Sequence, residues 1–320
     1  MLVVTRWRRT TIRAVTVATA VAVGVHVGMV QTVIETPSAA AATAVKVPAT
    51  AATTPATAVT TPAPAVTAWT PRPTAPAPAT RCGVQPAAQA AVDVATAAGE
   101  TSAVAVLDTT TGTLTSAGEA TTQFNTASVV KVLLATELLA TGQMTGDTAD
   151  AALQMITRSD DDAADGLYRL AGDDDVVNLV AERYGIADLG SPPEEAGQWG
   201  ESQVTAKGLA QLYAALQHDP VVWPWLSAAM AGTTTTAADG SDQTFGIPSA
   251  AASWAVKQGW MVGLGPGATY SSTGYVDDGR WVVVLLSSGT AEQYGEQMTG
   301  TMTSMAKALV PDGVAPGVAC

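Results

Sequence analysis

Residues 124–131 read Phe124-Asn125-Thr126-Ala127-Ser128-Val129-Val130-Lys131, and apolar residues dominate the chain from there to Leu139. The pattern predicts a helix over 129–141, with a hydroxyl and an amine three residues apart at its start. At that spacing both groups lie on one face, so the amine can reach the hydroxyl. Burial among apolar neighbours disfavours the charged form of a lysine, which lets it take the serine proton without any histidine. A serine at a helix start also offers its own backbone N–H to an oxyanion. Taken alone, Ser-x-x-Lys is a weak motif, and Ser128 could equally cap a core helix. It recurs at Ser304-Met305-Ala306-Lys307, in a C-terminal helical segment with no partner motif after it, which reads as helix surface.

Scarce residue types exclude other chemistries. The two histidines are His26, in an apolar N-terminal segment, and His218, in the turn-like Gln217-His218-Asp219-Pro220. They cannot supply a multi-histidine metal site. A Ser-His-Asp relay would have to use His218, and the sequence holds no Gly-x-Ser-x-Gly elbow. Cys82 and Cys320, the two cysteines, cannot build a cysteine-rich zinc or redox centre. No metal and no cofactor are expected.

Residues 1–13 carry four arginines and no acid, and no charged residue occurs over 14–34. This reads as an export segment, residues 1–35, either cleaved near the small residues 38–42 or kept as a membrane anchor. Arg8-Arg9 admits a twin-arginine route, and no cysteine near the cleavage region supports lipid attachment. Nine of the 18 prolines fall within residues 36–80, an Ala/Thr-rich stretch with too few large apolar residues for a core. It reads as an extended, semi-rigid linker. Residues 81–320 then suit one domain with a sizeable core. Up to residue 80 the chain holds six basic residues against Glu35 alone. The remainder holds nine basic against 27 acidic residues. So acidic a domain repels phosphate backbones, which argues against nucleic acid as a partner. In an oxidising compartment Cys82 and Cys320, which bracket the domain, could form a disulfide, with two free thiols as the alternative.

Within the domain, hydrophobic periodicity predicts a helix over 86–98, a strand over 102–108, and a hairpin partner over 113–118. Helices follow over 147–157, 163–170, 173–184 and 205–217. Strands return over 253–261, 268–276 and 280–287, and a last helix covers 291–309. Two strands, a helical block, three strands and a helix give an α+β fold, a three-layer αβα sandwich. Its antiparallel five-stranded sheet is flanked by helices, with a helical subdomain inserted between the two N-terminal and three C-terminal strands.

Two further motifs follow Ser128 in order. Ser159-Asp160-Asp161 lies 31 residues on, and Lys257-Gln258-Gly259 lies 98 residues beyond that, on an apolar strand. Singly, the first could be a helix start and the second a strand end. In sequence, they resemble the S-x-x-K, S-D-N and K-T-G motifs of the serine β-lactamase and penicillin-binding-protein superfamily. The resemblance is nearest to class A β-lactamases and covers most of residues 100–310. It implies that Ser128 is the acylated nucleophile and Lys131 its activating partner. Ser159 would relay a proton to the leaving nitrogen, and Lys257 would steady Ser159 and attract a substrate carboxylate. The backbone N–H groups of Ser128 and Trp260 would form the oxyanion hole, with Asp161, Gln258 and Gly259 lining the substrate site.

The departures from the family pattern bear on activity. Asp161 stands where the family has Asn, and an ionised carboxylate can only accept hydrogen bonds. Close to Lys131 it would also raise that lysine's pKa. Gln258 replaces Thr and enlarges the spot for a substrate carboxylate. Glu194 and Glu195 fall near the place of the family's deacylating base, without the Leu-Asn that completes its Glu-x-x-Leu-Asn loop. The interval from Ser128 to Ser159 is also shorter than in class A enzymes.

The sequence thus points to an exported, single-domain serine hydrolase acting on β-lactams or peptidoglycan-derived amides, outside the cytoplasmic membrane or held to its outer face. The alternatives are a D,D-peptidase and a degenerate, non-catalytic domain that binds an envelope ligand. A monomer is expected.

Overall fold

The computed structural model describes residues 83–317, apart from positions 264 and 266. The export segment, the linker and both cysteines of the expected disulfide lie outside the described residues. In chain order the elements are α1 (Val84–Ala97), β1 (Thr101–Asp108), β2 (Thr113–Gly118), β3 (Gln123–Asn125), α2 (Val130–Ala140), α3 (Asp147–Thr157), α4 (Asp161–Tyr168) and α5 (Val176–Tyr184). Then follow β4 (Gly190–Ser191), β5 (Gln203–Thr205), α6 (Ala206–Leu216), α7 (Trp223–Ala231), β6 (Trp254–Val262), β7 (Gly267–Val276), β8 (Trp281–Thr290) and α8 (Glu296–Leu309).

Five strands form the expected antiparallel sheet in the order β2-β1-β8-β7-β6. β8 sits between the N-terminal hairpin and the C-terminal strands, pairing Val104 with Leu285 on one side and Ser272 with Leu285 on the other. Successive side chains of a strand point to opposite faces, and both faces here are covered. Ala103, Ala105, Leu107, Val282, Val284 and Leu286 enter one core with α2, α3 and α6. Val104, Val106, Val283 and Leu285 enter a second core with α1 and α8. This two-sided burial explains why β8 reads as an unbroken run, Val282 to Leu286, rather than an alternation.

α2 runs through the larger core with every residue from Val130 to Leu139 buried. An apolar residue at nearly every position is what a helix enclosed on all sides requires. Its one acid, Glu137, is answered by Arg183 of α5 at 2.8 Å. Because α2 carries the Ser-x-x-Lys motif, its packing fixes the site. Leu133→Ala, at a fully buried position, is expected to cost roughly 2–5 kcal/mol by leaving a cavity. Chemical denaturation checks this, and a loss below about 1 kcal/mol would contradict the packing.

Several boundaries differ from the sequence reading. The nucleophile helix opens with a 3-10 turn over Ala127–Val129, and α4 starts two residues early because Asp160 caps it, accepting from Ala163 N at 3.0 Å. The expected last helix is split: a 3-10 turn over Ala291–Gln293 precedes Gly295, whose φ of +97° interrupts the helical path before α8. α7 begins Trp223-Pro224, and the sequence reading missed it. Proline is tolerated in a first turn, where its missing N–H has no helical partner to lose. The small β3-β5-β4 sheet was also missed, its strands being too short for any period to show.

Candidate active site

The turn that presents Ser128 is held from two directions. Thr126 N donates to Ser202 O at 2.7 Å, and Val129 N closes back on Thr126 O at 3.0 Å. Between them Ala127 adopts a φ of +45°, a left-handed conformation costly for a residue with a Cβ. Ser159 is likewise at φ +54°. Such conformations persist where the surroundings over-determine them, and here they sit beside both candidate serines. The edge strand β6 passes directly under the turn. A Cβ on Gly259 would lie 2.8 Å from Thr126 O and 3.1 Å from a methyl of Val129. The glycine of the third motif therefore permits the approach that brings β6 to Ser128. Gly259→Val should push the two apart. Lowered thermal stability, with weakened labelling of Ser128 in the fraction that remains folded, would bear this out, and unchanged labelling would contradict it.

The three motifs converge on one hydroxyl. Lys257 Nζ donates to Ser159 Oγ at 2.9 Å and to Gln258 O at 2.9 Å. Lys131 Nζ donates to Ser159 O at 2.7 Å and lies 3.5 Å from Ser159 Oγ. With both lysines donating to it, Ser159 Oγ keeps its own proton to give away. Lys131 and Lys257 are both 0% exposed. Burial lowers the pKa of Lys131, although the Asp161 carboxylate acts in the opposite direction. Lys257 is pushed well below the usual lysine value, first by burial and then by the neighbouring Lys131 charge. Ser159 is positioned by the segment after α7: Thr234 N donates to Thr157 O at 2.9 Å and Ala238 N to Arg158 O at 2.7 Å.

Ser128 is buried, with 7% of its surface exposed. Lys131 hydrogen-bonds Ser159 and Asp161 rather than Ser128 Oγ. Asp161 forms an ion pair with Lys131 while its side chain remains 64% exposed. The expected proximity of that carboxylate to the lysine is thus present. Gln258 corrects the sequence reading. It is fully buried, and its amide donates to Phe245 O at 2.5 Å and Gln243 O at 3.3 Å. It packs into the wall and does not enlarge an open subsite. Trp260 follows on the edge strand, half-buried, its ring against Phe245 at 6.1 Å. Ser304 is exposed on α8 and donates to Gly300 O at 2.9 Å, as expected for helix surface.

Glu194 and Glu195 are exposed, and they share a cavity of about 430 Å³ with Asn125, Glu201, Gln203 and Gly265. Neither hydrogen-bonds Lys131 or Ser159. The turn that does reach the site is Trp199–Glu201, which sequence reasoning missed. Glu201 accepts from Asn125 Nδ2 at 2.5 Å. The Trp199 ring centroid lies 5.0 Å from Lys131 Nζ. A Trp-Gly-Glu string in a Gly/Pro-rich loop carries no period that would have disclosed either contact.

The sheet order and its flanking helices are those of the β-lactamase fold. Similar solved structures include a β-lactamase from Chitinophaga pinensis DSM 2588, with 14% identity, TM-score 0.56, and coverage of 69% of this chain and 97% of that one. They also include the reconstructed last common ancestor of Gram-negative class A β-lactamases, at 18% identity, TM-score 0.55, and coverage of 69% and 97%. At these identities the likeness establishes the fold. In sequence, the chain is 36% identical over 236 residues to "Putative lipoprotein LppW" of Mycobacterium tuberculosis H37Rv, covering 70% of this chain and 74% of the relative. The Mycobacterium bovis protein of the same description matches equally. The chain belongs to the LppW family. No protein-family model matches it.

Proposed function

We propose that the domain is an extracytoplasmic serine hydrolase that acylates Ser128 with a β-lactam or a cell-wall-derived amide. The observation that carries this reading is the convergence of two fully buried lysines on Ser159 Oγ beside the Ser128 turn. Burying two amines costs several kcal/mol unless partners compensate. A passive binding surface has no use for that arrangement, whereas acyl transfer does. Neutral Lys131, once released from Asp161, takes the Ser128 proton as Oγ attacks the carbonyl carbon. The backbone N–H groups of Ser128 and Trp260 receive the developing oxyanion. The C–N bond then breaks as the nitrogen collects the Ser159 proton, and Lys131 returns a proton to Ser159 by way of their contact. The products are a Ser128 ester and a free amine, with atoms and charge balanced.

One observation favours a second reading, a non-catalytic domain that binds an envelope ligand. The Asp161 carboxylate pairs with Lys131 and favours its charged, non-basic form. Treatment with a fluorescent penicillin separates the two. A covalent adduct supports acyl transfer, and reversible binding without an adduct supports the second reading.

Turnover is expected to be slow. Glu194 and Glu195 are exposed and unconnected to the lysine pair, and loss of a general base typically costs about 10²–10⁴-fold in the step it serves. Nitrocefin hydrolysis by the purified protein should therefore lag far behind acylation. Equal rates would show that one of these carboxylates, or Glu201, acts as the deacylating base.

The relative is described as a lipoprotein, which supports an exported or membrane-associated placement for this chain. Here the first cysteine is Cys82, so export through residues 1–35, either cleaved or kept as an anchor and followed by the 36–80 linker, is the route proposed. Cys82 and Cys320 would be joined in the exported protein. Two alkylatable thiols found by non-reducing peptide mapping would refute that bond.

A further inference from the structure

Trp199 lies over Lys131, at the motif that carries the candidate nucleophile. The turn carrying it is stitched to the nucleophile turn. Thr126 Oγ1 donates to Gly200 O at 3.4 Å, Thr126 N to Ser202 O at 2.7 Å, and Asn125 Nδ2 to Glu201 Oε2 at 2.5 Å. The last bond draws the carboxylate toward Asn125. A Cβ built on Gly263, near the end of β6, would meet Glu201 Oε1 at 3.2 Å. The indole takes the other direction. Its ring centroid is 5.0 Å from Lys131 Nζ, and its Nε1 donates to Asp165 Oδ1 at 2.7 Å. Asp165 and Asp161 lie four residues apart on α4 and so share a face. One grips the indole and the other the amine. Lys131 is thereby enclosed by Ser159, Asp161 and an aromatic ring, and it has no surface exposed to solvent. A ring face attracts a cation, yet it cannot accept a proton from water.

We propose that Trp199 is a positioning residue that clamps the Lys131 ammonium and bars water from it, so that an acyl group on Ser128 is retained rather than hydrolysed. The retention half rests on the acylation reading, and the clamp half stands without it. Hydrolysis would require water to add to the ester carbonyl, giving up one proton to a base as Ser128 Oγ departs and recovers one. Lys131, freed of its proton, is a candidate base one helical turn from Ser128, and the indole keeps water from reaching it. Charged groups acting on this amine besides Asp161 are Asp160, Asp239 and Lys257. None of them is altered by substitution at Trp199.

The test compares wild-type protein with Trp199→Ala, Trp199→Phe and Asp165→Ala. In the first measurement, N-hydroxysuccinimidyl acetate modifies accessible neutral amines, and peptide mass spectrometry reads Lys131. Wild-type Lys131 should be inert. Trp199→Ala should raise its labelling at least tenfold, while Trp199→Phe, which keeps a ring but loses the bond to Asp165, and Asp165→Ala, which frees the indole but keeps it, should both fall between. Should Trp199→Ala fail to fold by circular dichroism, Asp165→Ala, altered at an exposed position, carries the comparison. In the second measurement, protein pulsed with a fluorescent penicillin is followed by intact mass. The adduct's half-life should shorten at least tenfold in Trp199→Ala and by less in Trp199→Phe. Lys131 labelling unchanged in folded Trp199→Ala and Asp165→Ala overturns the clamp. Increased labelling with an unchanged adduct half-life overturns the water barrier. If no form is ever acylated, the acyl-transfer reading fails and retention with it, while Lys131 labelling still decides the clamp.

Discussion

Ser128→Ala is expected to abolish covalent labelling by a fluorescent penicillin, while Ser304→Ala leaves it intact. Both serines stand three residues before a lysine, but their surroundings differ. Ser128 lies on a strained turn over Gly259, with Lys131 and Lys257 converging on Ser159 next to it. Ser304 is exposed on α8 and its hydroxyl is satisfied by its own helix. Removing a serine nucleophile from an acyl-transfer site costs on the order of 10⁶-fold in rate, so labelling should fall below detection. Equal loss in both variants would indicate unfolding rather than chemistry. Persistent labelling of Ser128→Ala protein would place the nucleophile elsewhere.

Asp161→Asn should accelerate acylation. Acylation needs the neutral amine, so its rate rises with pH through the Lys131 pKa. Burial sets that pKa below the ordinary lysine value, and the Asp161 carboxylate works against burial. Replacing the carboxylate with an amide removes the opposing influence. The pKa falls further and the rising limb of the pH profile moves to lower pH. An adjacent opposite charge commonly shifts a pKa by about 1–3 units, and each unit is tenfold in the neutral fraction. The gain at neutral pH should thus be roughly ten- to a thousandfold, diminishing at alkaline pH where wild-type Lys131 is already neutral. An amide can also donate to a substrate carbonyl, which the carboxylate cannot. Stopped-time intact-mass measurements across pH decide the matter. A limb displaced to higher pH, or a slower reaction throughout, would mean that Asp161 assists Lys131 rather than holding it charged.

Much of the fold was legible because the burial is simple. β1 and β8 are enclosed on both faces, so their sequences are nearly continuous runs of valine, leucine and alanine. α2 is enclosed all round and lacks a polar face. The hairpin turn and the acidic start of α4 carried local cues of their own. What the sequence hid depends on long-range packing. Gln258 could be counted as a substitution, but its direction is set by the carbonyls of Phe245 and Gln243, which lie in an irregular segment. Trp199 meets Lys131 only because two turns far apart in sequence are stitched through Thr126, Asn125 and Ser202. Glu194 and Glu195 were nominated by their position between motifs, whereas Glu201 is the acid tied to the nucleophile turn. Composition could rank none of these, since each depends on which side of a loop faces inward.

Peptide mapping of full-length protein after prolonged exposure to a fluorescent penicillin locates the acyl group directly. The expected adduct is an ester on Ser128, formed by wild-type protein and formed faster by Asp161→Asn protein. An adduct on any other residue, or no adduct on either protein, would contradict Ser128 as the nucleophile.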